Sequence, residues 1–545
     1  MMALSKRARF MALTLVLIVA FALRLDGLAF GFPALLDPDE PIFVLTALRL
    51  LREHTLNPGW FGHPGTTTIY ALAMIELATF SVWTALGRFA NAHAFGLAVY
   101  ANPALIFLPG RIFILVCGML TIALTYVISR GLFSTRVALL AALLLAIDPL
   151  HIRYSQIIRT DMHAAVFVLL EILSARAILK YGRRRDYVLA AIVLGFACAT
   201  KWPAAACFVA VAAVAAKRLY RRLDTPSATV GKLALYAISA VAALFVASPY
   251  LFLDLPTVIA NLHGEERPFH LGATGHGLFG NMGWYVGGPL AFAFGIAGLL
   301  LAVTGCWIGS RRSTEFGVTV LPVAALFFVM ISAQALVWER WLIPLLPLLS
   351  IAAAVPLAAL LREIGRWFSG VGRIAAQAGI VIAICVPVLV NARAASAERA
   401  SDTRLLASRW AIPHIPPGSV VTVEHGAFDI LGQPWRILFP MGDRGCIDVR
   451  AALDGQIKYS SVDYARAGKP VVDIGTVDPA QLASCHGDWA ITVNWDRYRA
   501  EPQHFRVEIE NYRRLVAGGR IVATFRPKPG QIGGPVVRVI RLAPR

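Results

Sequence analysis

Charge is scarce in this 545-residue chain, and acid is scarcer than base. Asp, Glu, Lys and Arg together make up 15% of the sequence, with 32 carboxylates against 51 basic side chains. Soluble domains carry about 25% charged residues, so a chain this poor in charge is not built to live mainly in water. No tandem repeat or low-complexity tract is present, which excludes a solenoid or a disordered scaffold. The P-loop pattern is missing, and with it the usual glycine-rich cradle for nucleotide phosphates. Neither HExxH nor paired CxxC occurs, which excludes the commonest zinc motifs. Of the seven cysteines, Cys117, Cys198, Cys207, Cys306 and Cys385 lie in apolar segments. Cys446 and Cys485 remain as a pair for a disulfide in an exported domain.

What the chain does have is apolar length. Hydrophobic residues make up 57% of it and its mean hydropathy is +0.65, the composition of a polytopic membrane protein. Eleven spans are predicted, at residues 10–25, 111–129, 137–150, 162–180, 187–201, 203–217, 231–250, 285–308, 315–336, 341–361 and 373–391. The formal charge of +19 forms no single patch with interleaved aromatics, as a nucleic-acid surface would. It recurs instead as short clusters between apolar runs: "SKRAR" from Ser5, "SRGLFSTR" from Ser129, "RRR" from Arg183, "KRLYRR" from Lys217, "RR" at Arg311 and "LREIGRW" from Leu361. All six fall on one side of alternating spans, which the positive-inside rule makes cytoplasmic. The N-terminal run has a basic start and an apolar core, but "LRLDGLAFGF" follows it without a small-residue cleavage site, so it reads as a retained first span.

The stretch Thr68 to Leu86 is apolar, yet a full crossing there would invert the two following basic clusters. It therefore reads as a helix in the outer interface, with Glu76 near its middle, and residues 26–110 become one long external loop. From about residue 392 the pattern changes to Gly and Pro turns followed by β-branched runs, as in "IPPGSVVTV", "GGRIVATFRP" and "GGPVVRVIRL". This predicts an α+β domain over 392–545, placed outside by the odd number of spans.

The chemistry-bearing residues then gather on the outer face. "LLDPDEPIF", Leu35 to Phe43, packs Asp37, Asp39 and Glu40 around Pro38 and Pro41. The bland reading is a helix start, with Asp39 as the cap and Pro41 in the first turn. Asp161 in "RTDMHAAVF" reads as a cap in the same way. Lys201 in "ATKWPAA" and Arg340 in "WERWLIPLLPLL" are isolated cations in outer turns, where snorkelling to lipid phosphate is the bland role. Arg159 beside Asp161, and His63 in "GHPGTTTIY", complete the set. Carboxylates and isolated cations from five separated loops on one face suit a site that holds a phosphorylated lipid and activates a hydroxyl.

The order "PDEPIFVLTALRLLREHTLNPGWFGHPGTTTIYAL", "YSQIIRTDMHAAVF", "ATKWPAA" and "RWLIPLLPLL" resembles the GT-C membrane glycosyltransferases, in particular the protein O-mannosyltransferase and lipid A aminoarabinose transferase group. The resemblance covers the membrane part to about residue 391, and the tail resembles the exported domain that ends many bacterial members. It implies about eleven transmembrane helices in a GT-C-like catalytic domain (1–391) with a C-terminal α+β domain on the outer side. It further implies an inverting transfer of a sugar from a polyprenyl-phosphate donor to a lipid, glycan or protein acceptor at a bacterial inner membrane. By that resemblance Asp39 is the catalytic aspartate, Glu40 its acidic neighbour and Asp161 the second-loop acid, while Lys201, Arg340 and Arg159 bind the donor phosphate. Close acidic neighbours would raise the proton affinity of Asp39, which suits a base. The family often has His-Pro-Pro or Tyr-Pro-Ser where this chain has His63, Pro64 and Gly65. No cofactor is implied, but Asp39, Glu40 and His63 leave room for a divalent metal, and His63 and His270 are candidate contacts to substrate or metal. The glycine- and histidine-rich external loop 251–284 reads as a lid that orders over substrate. A secondary transporter or flippase is the alternative; it needs ionisable groups near the midplane and paired broken helices, whereas the charges here collect at the outer edge, apart from Glu171, which is offset in its span.

Overall fold

The structure, a computed structural model, describes residues 5–62, 64–424, 427–453 and 471–544. It divides into two compact units. The first comprises Met1–Leu28, Asp39–Glu265 and Gly275–Arg393; the second comprises Ala29–Pro38, Glu266–Thr274 and Ala394–Arg545. The expected boundary at 391/392 lies within one continuous helix, Gly370–Ala400.

The first unit is helical. Among the described residues ten helices are long and apolar enough to cross a membrane, against the eleven spans expected. The difference has two sources. Thr66–Ala85 is an unbroken 20-residue helix with mean hydropathy 1.3, long and apolar enough to cross, where the basic clusters had suggested a helix lying in the outer interface. Thr135–Ile147 has 13 residues and Arg184–Thr200 has 17, each short of the roughly 20 that a span needs. Both short helices are heavily buried by their neighbours. Thr135–Ile147 buries Ala138, Ala141, Ala142 and Leu145, small residues that let helices approach closely where lipid offers no hydrophobic driving force. Gly305 shows the same constraint: a Cβ there would stand 1.9 Å from the backbone oxygen of Ala352, so helix Ala291–Arg312 meets helix Leu346–Trp367 backbone to backbone.

The second unit carries a six-stranded mixed sheet in the order β3-β2-β1-β4-β6-β5. The strands are β1 (Val420–Val423), β2 (Arg436–Pro440), β3 (Cys446–Asp448), β4 (Trp489–Thr492), β5 (Arg520–Phe525) and β6 (Val537–Arg541). The central strand β1 runs parallel to β2 and β4, and the outer pairs are antiparallel. Strands buried on both faces read as continuous apolar runs, as "VVTV" does. One face packs Val421, Val423, Ile437, Ile491 and Val539 against Ala407 and Ala411 of helix Thr403–His414. A second apolar cluster buries Ile474, Cys485, Tyr498, Ile509 and Tyr512, together with Leu271 from the segment Glu266–Thr274. Cys446 and Cys485 are disulfide-bonded, closing a separation of 39 residues.

The loop that the sequence reading made a lid is partly clasped within this unit. The Gly272 and Thr274 donors meet the two oxygens of Glu501 at 2.9 Å each, Arg497 Nη2 donates to the Leu271 carbonyl at 2.9 Å, and Phe269 stacks on His504. The segment Ala29–Pro38 is held likewise: Ala34 and Leu36 pack on Ala427, and Arg404 Nη1 donates to the Leu36 carbonyl at 3.1 Å.

Behind the sheet, Glu424 follows β1 directly and is fully buried. It accepts the backbone N–H groups of Val493 and Asn494 and the hydroxyl of Tyr512, and Asp473 nearby accepts Asn494 Nδ2 at 2.8 Å and the Tyr498 hydroxyl at 2.9 Å. Burial first, and the neighbouring Asp473 second, push the Glu424 carboxyl up to about 8. An acid whose folded pKa exceeds its unfolded value keeps its proton in the fold while the unfolded chain releases it, so stability falls as pH rises between the two values. Glu424→Gln, neutral throughout, is expected to weaken that fall, so that in thermal unfolding of the detergent-solubilised chain the variant gains on the wild type as pH climbs towards about 8. Parallel pH profiles for the two proteins would contradict this account of Glu424.

Candidate functional site

Asp39 stands immediately before helix Glu40–Glu53, where an N-cap is expected, and Pro41 occupies the first turn as predicted. Its carboxylate makes no capping hydrogen bond. It meets Arg159 Nη1 instead, and Arg340 Nη1 at 3.2 Å. The bland reading of this stretch therefore fails on geometry, because a capping carboxylate accepts a backbone N–H of the first turn. Asp161 behaves alike. It lies in the first turn of helix Thr160–Tyr181, and its Oδ1 is paired with Lys201 Nζ in a buried contact.

These five residues act on one another. Arg159 and Arg340 are close enough to Asp39, Asp161 and Lys201 to influence all three electrostatically. Three cations face two carboxylates, which leaves an excess of positive charge. Asp39 is the more open acid, with 29% of its side chain exposed, whereas Asp161 and Lys201 retain 3% and 6%. Burial alone would raise the Asp39 carboxyl, but Arg159 and then Arg340 outweigh it and hold the group below the usual carboxylate range. The expectation that acidic neighbours raise its proton affinity is thus corrected: Asp161 does oppose ionisation, but two guanidinium groups dominate.

Glu40 serves a different partner. Its two oxygens receive Arg111 Nε at 2.8 Å and Arg111 Nη2 at 2.6 Å, a bidentate pair with both side chains fully buried. The same carboxylate accepts the Ile158 N–H at 3.0 Å, and Arg111 Nη1 donates to the Leu28 carbonyl at 2.9 Å. One ion pair thereby fixes the start of helix Glu40–Glu53, the wall of helix Ala104–Leu132 and the backbone one residue before Arg159.

The remaining walls are fixed by backbone and hydroxyl contacts. Residues Pro64 and Lys201 form an isolated β-bridge, and the Gly65 N–H donates to the Thr200 carbonyl at 3.3 Å. Gly65 sits at φ +72°, a left-handed conformation that favours glycine, where a Cβ would also approach Phe43 to 3.2 Å. The loop before Arg159 is anchored from below: Gln156 Nε2 donates to the Arg24 and Asp26 carbonyls at 2.8 and 2.7 Å, and the buried Arg24 donates to His151 Nδ1 at 2.7 Å.

Of the residues named from sequence, Asp39, Asp161, Arg159, Lys201 and Arg340 come together, and Glu40 adjoins them through its pair with Arg111. His63 lies outside the described residues. His270 belongs to the second unit, where its Nδ1 is 3.2 Å from the Leu271 carbonyl. Among the described residues no group of three His, Cys, Asp or Glu side chains could hold a metal ion. Sequence reasoning missed Arg111, Arg24 and Glu339, the last bound by Arg153 Nη1 at 2.8 Å and the Tyr154 hydroxyl at 2.9 Å. A signal for Arg111 existed, since an arginine opening an apolar run needs a buried partner.

Residues 106–252 match the family model for dolichyl-phosphate-mannose-protein mannosyltransferases. That stretch contains Arg111, Arg159, Asp161 and Lys201 but neither Asp39 nor Arg340. The structure aligns with apo ArnT from Cupriavidus metallidurans over 98% of this chain and 99% of that one, with a TM-score of 0.52 at 14% identity. The chain has the GT-C fold of membrane glycosyltransferases. The oligosaccharyltransferase from Archaeoglobus fulgidus, tethered to an acceptor peptide, aligns over 97% of this chain and 74% of its own, with a TM-score of 0.51 at 13% identity. No curated protein matches the sequence.

Breaking one side of a buried ion pair leaves an uncompensated charge and costs about 3–5 kcal/mol, whereas replacing both partners with apolar residues is often close to neutral. Arg111→Met should therefore lower the thermal midpoint of the solubilised protein sharply, and Arg111→Met with Glu40→Leu should recover most of that loss. An Arg111→Met protein as stable as the wild type would show that the pair is not the anchor it looks to be.

Proposed function

We propose that the protein is an inverting glycosyltransferase that moves a sugar from a polyprenyl-phosphate donor to an acceptor hydroxyl or phosphate at the outer face of a bacterial inner membrane. The observation that carries this reading is the Asp39 carboxylate, which is withheld from helix capping and held between Arg159 and Arg340. The family model matched by residues 106–252 is described by a lipid-phosphate mannose donor, and the excess of cations around Asp39 and Asp161 suits a phosphate. The basic clusters between apolar runs support a cytoplasmic N-terminus, with the second unit outside. Acceptors on a lipid, a glycan or a protein all meet the same chemistry.

The step follows from the residue types. The acceptor oxygen forms its bond to the anomeric carbon from the face opposite the phosphate, and its proton passes to Asp39. The bond between that carbon and the phosphate oxygen breaks with its electron pair going to the phosphate, where Lys201, Arg340 and Arg159 offset the developing charge. Glu40 positions Asp39 through Arg111 rather than exchanging protons, and Asp161 sets the Lys201 ammonium. No cofactor enters this step. Secondary transport draws less support. Glu171, the acid set within its span, has its Oε1 tied to the Tyr236 hydroxyl at 2.6 Å, a fixed link between helices.

Asp39→Asn is the deciding substitution. Asparagine caps helices about as well as aspartate, so a capping role predicts near-normal activity. A general base contributes about 10²–10⁴-fold, so turnover of a labelled polyprenyl-phosphate sugar by purified protein should fall by that factor while membrane insertion is unchanged. An active Asp39→Asn enzyme would remove the base and the mechanism with it.

A further inference from the structure

The segment Trp338, Glu339 and Arg340 is held at each of its three residues. Glu339 is tied down by Arg153 and Tyr154, as described above. The Trp338 N–H donates to the hydroxyl of Tyr285 at 3.3 Å, and Tyr285 is itself fully buried. With the backbone held just before the Glu339–Leu342 turn and the Glu339 side chain held within it, the Arg340 side chain has two contacts near its end. Its guanidinium carbon lies 4.5 Å from the centre of the Trp338 ring, within cation–π range, and its Nη1 reaches Asp39 at 3.2 Å.

The proposed reaction asks two things of Arg340. Before the donor arrives it neutralises Asp39 together with Arg159; once the donor is bound it must meet a phosphate. A guanidinium held by one carboxylate alone would lose its only directional contact at that exchange, and re-ordering so flexible a side chain costs rotamer freedom. An aromatic face does not compete for the N–H groups at the rim of the guanidinium, because it attracts the cation through its plane. We infer that Trp338 is a positioning residue of this site: its indole face holds the Arg340 guanidinium in place while the terminal N–H groups pass from Asp39 to the donor phosphate. This rests on the reading of the site as a phosphate-linked glycosyltransferase. It also explains why a half-buried tryptophan stands two residues before Arg340 in "WERW".

The test is a double-mutant cycle on the full-length enzyme with Trp338→Leu, which keeps apolar bulk but removes the aromatic face, and Arg340→Gln. Cation–π contacts range from about 0.5 to about 2 kcal/mol, so Trp338→Leu should raise the donor KM about two- to thirtyfold with a smaller change in kcat. Trp338→Phe should restore most of the loss, and Trp338→Leu should add nothing in the Arg340→Gln background. An equal penalty in both backgrounds, or a Trp338→Phe enzyme as impaired as Trp338→Leu, would overturn the inference. If Trp338→Leu does not accumulate, Trp338→Met carries the same cycle. Thermal unfolding of the same four proteins without substrate separates this inference from the reading beneath it. Non-additive midpoint shifts support the Trp338–Arg340 contact even if the wild type transfers no sugar, a result that would overturn the donor assignment alone. Additive shifts overturn the contact itself.

Discussion

The ion pair between Glu40 and Arg111 is the constraint on which the site depends. Both side chains are fully buried, and each of the three guanidinium nitrogens donates to an acceptor: the two Glu40 oxygens and the Leu28 carbonyl. Such a pair is weak evidence for net stability, since desolvating two ions can cost as much as their attraction returns. What it provides is registration. Glu40 begins a helix, Arg111 lies within another, and the Ile158 N–H that shares the carboxylate precedes Arg159 by one residue. Asp39 and Arg159 meet because the groups beside them in sequence are clamped to a common carboxylate.

From that registration the electrostatics follow. Asp39 and Asp161 each stand where a helix begins, and each gives its carboxylate to a cation from a distant part of the chain instead of to the helix. Helix termini leave N–H groups that a capping acid would satisfy, so withholding both acids has a local cost that a purely structural loop would avoid. Holding Asp39 ionised and below the usual carboxylate range makes it a poor base as it stands. A bound phosphate that draws on Arg340 and Arg159 would return proton affinity to Asp39 at the stage when the acceptor proton must be taken. In the proposed reaction substrate binding and activation of the base become one event, and the inferred role of Trp338 is to support the residue that moves between anions.

Much of this was legible in the sequence, and the parts that were not share a cause. The acids and cations of the site announced themselves as charges interrupting apolar runs at the outer ends of predicted spans, where burial is costly without a partner. The strands β1, β5 and β6 followed from β-branched runs after glycine turns, and the Cys446–Cys485 disulfide from the separation of those two cysteines from the other five. Partnership was not legible. Nothing in "PDEP" tells that Glu40 turns to Arg111 while Asp39 turns to Arg159, because that choice is made by residues 71 and 120 positions away. The assignment of individual spans differs for a related reason. Thr135–Ile147 and Arg184–Thr200 are short helices buried by their neighbours, while Thr66–Ala85 is long and apolar enough to cross, so length alone and charge alternation alone disagree about the same segments.

The central claim is that the Asp39 cluster receives the donor phosphate, and a structure of the full-length protein with a synthetic polyprenyl phosphate bound in a lipid nanodisc tests it most directly. The phosphate is expected within hydrogen-bond reach of Arg340 and Lys201, with the contact between Arg340 and Asp39 lengthened and the guanidinium still stacked on Trp338. A phosphate held elsewhere, with the Arg340–Asp39 contact intact, would contradict the account.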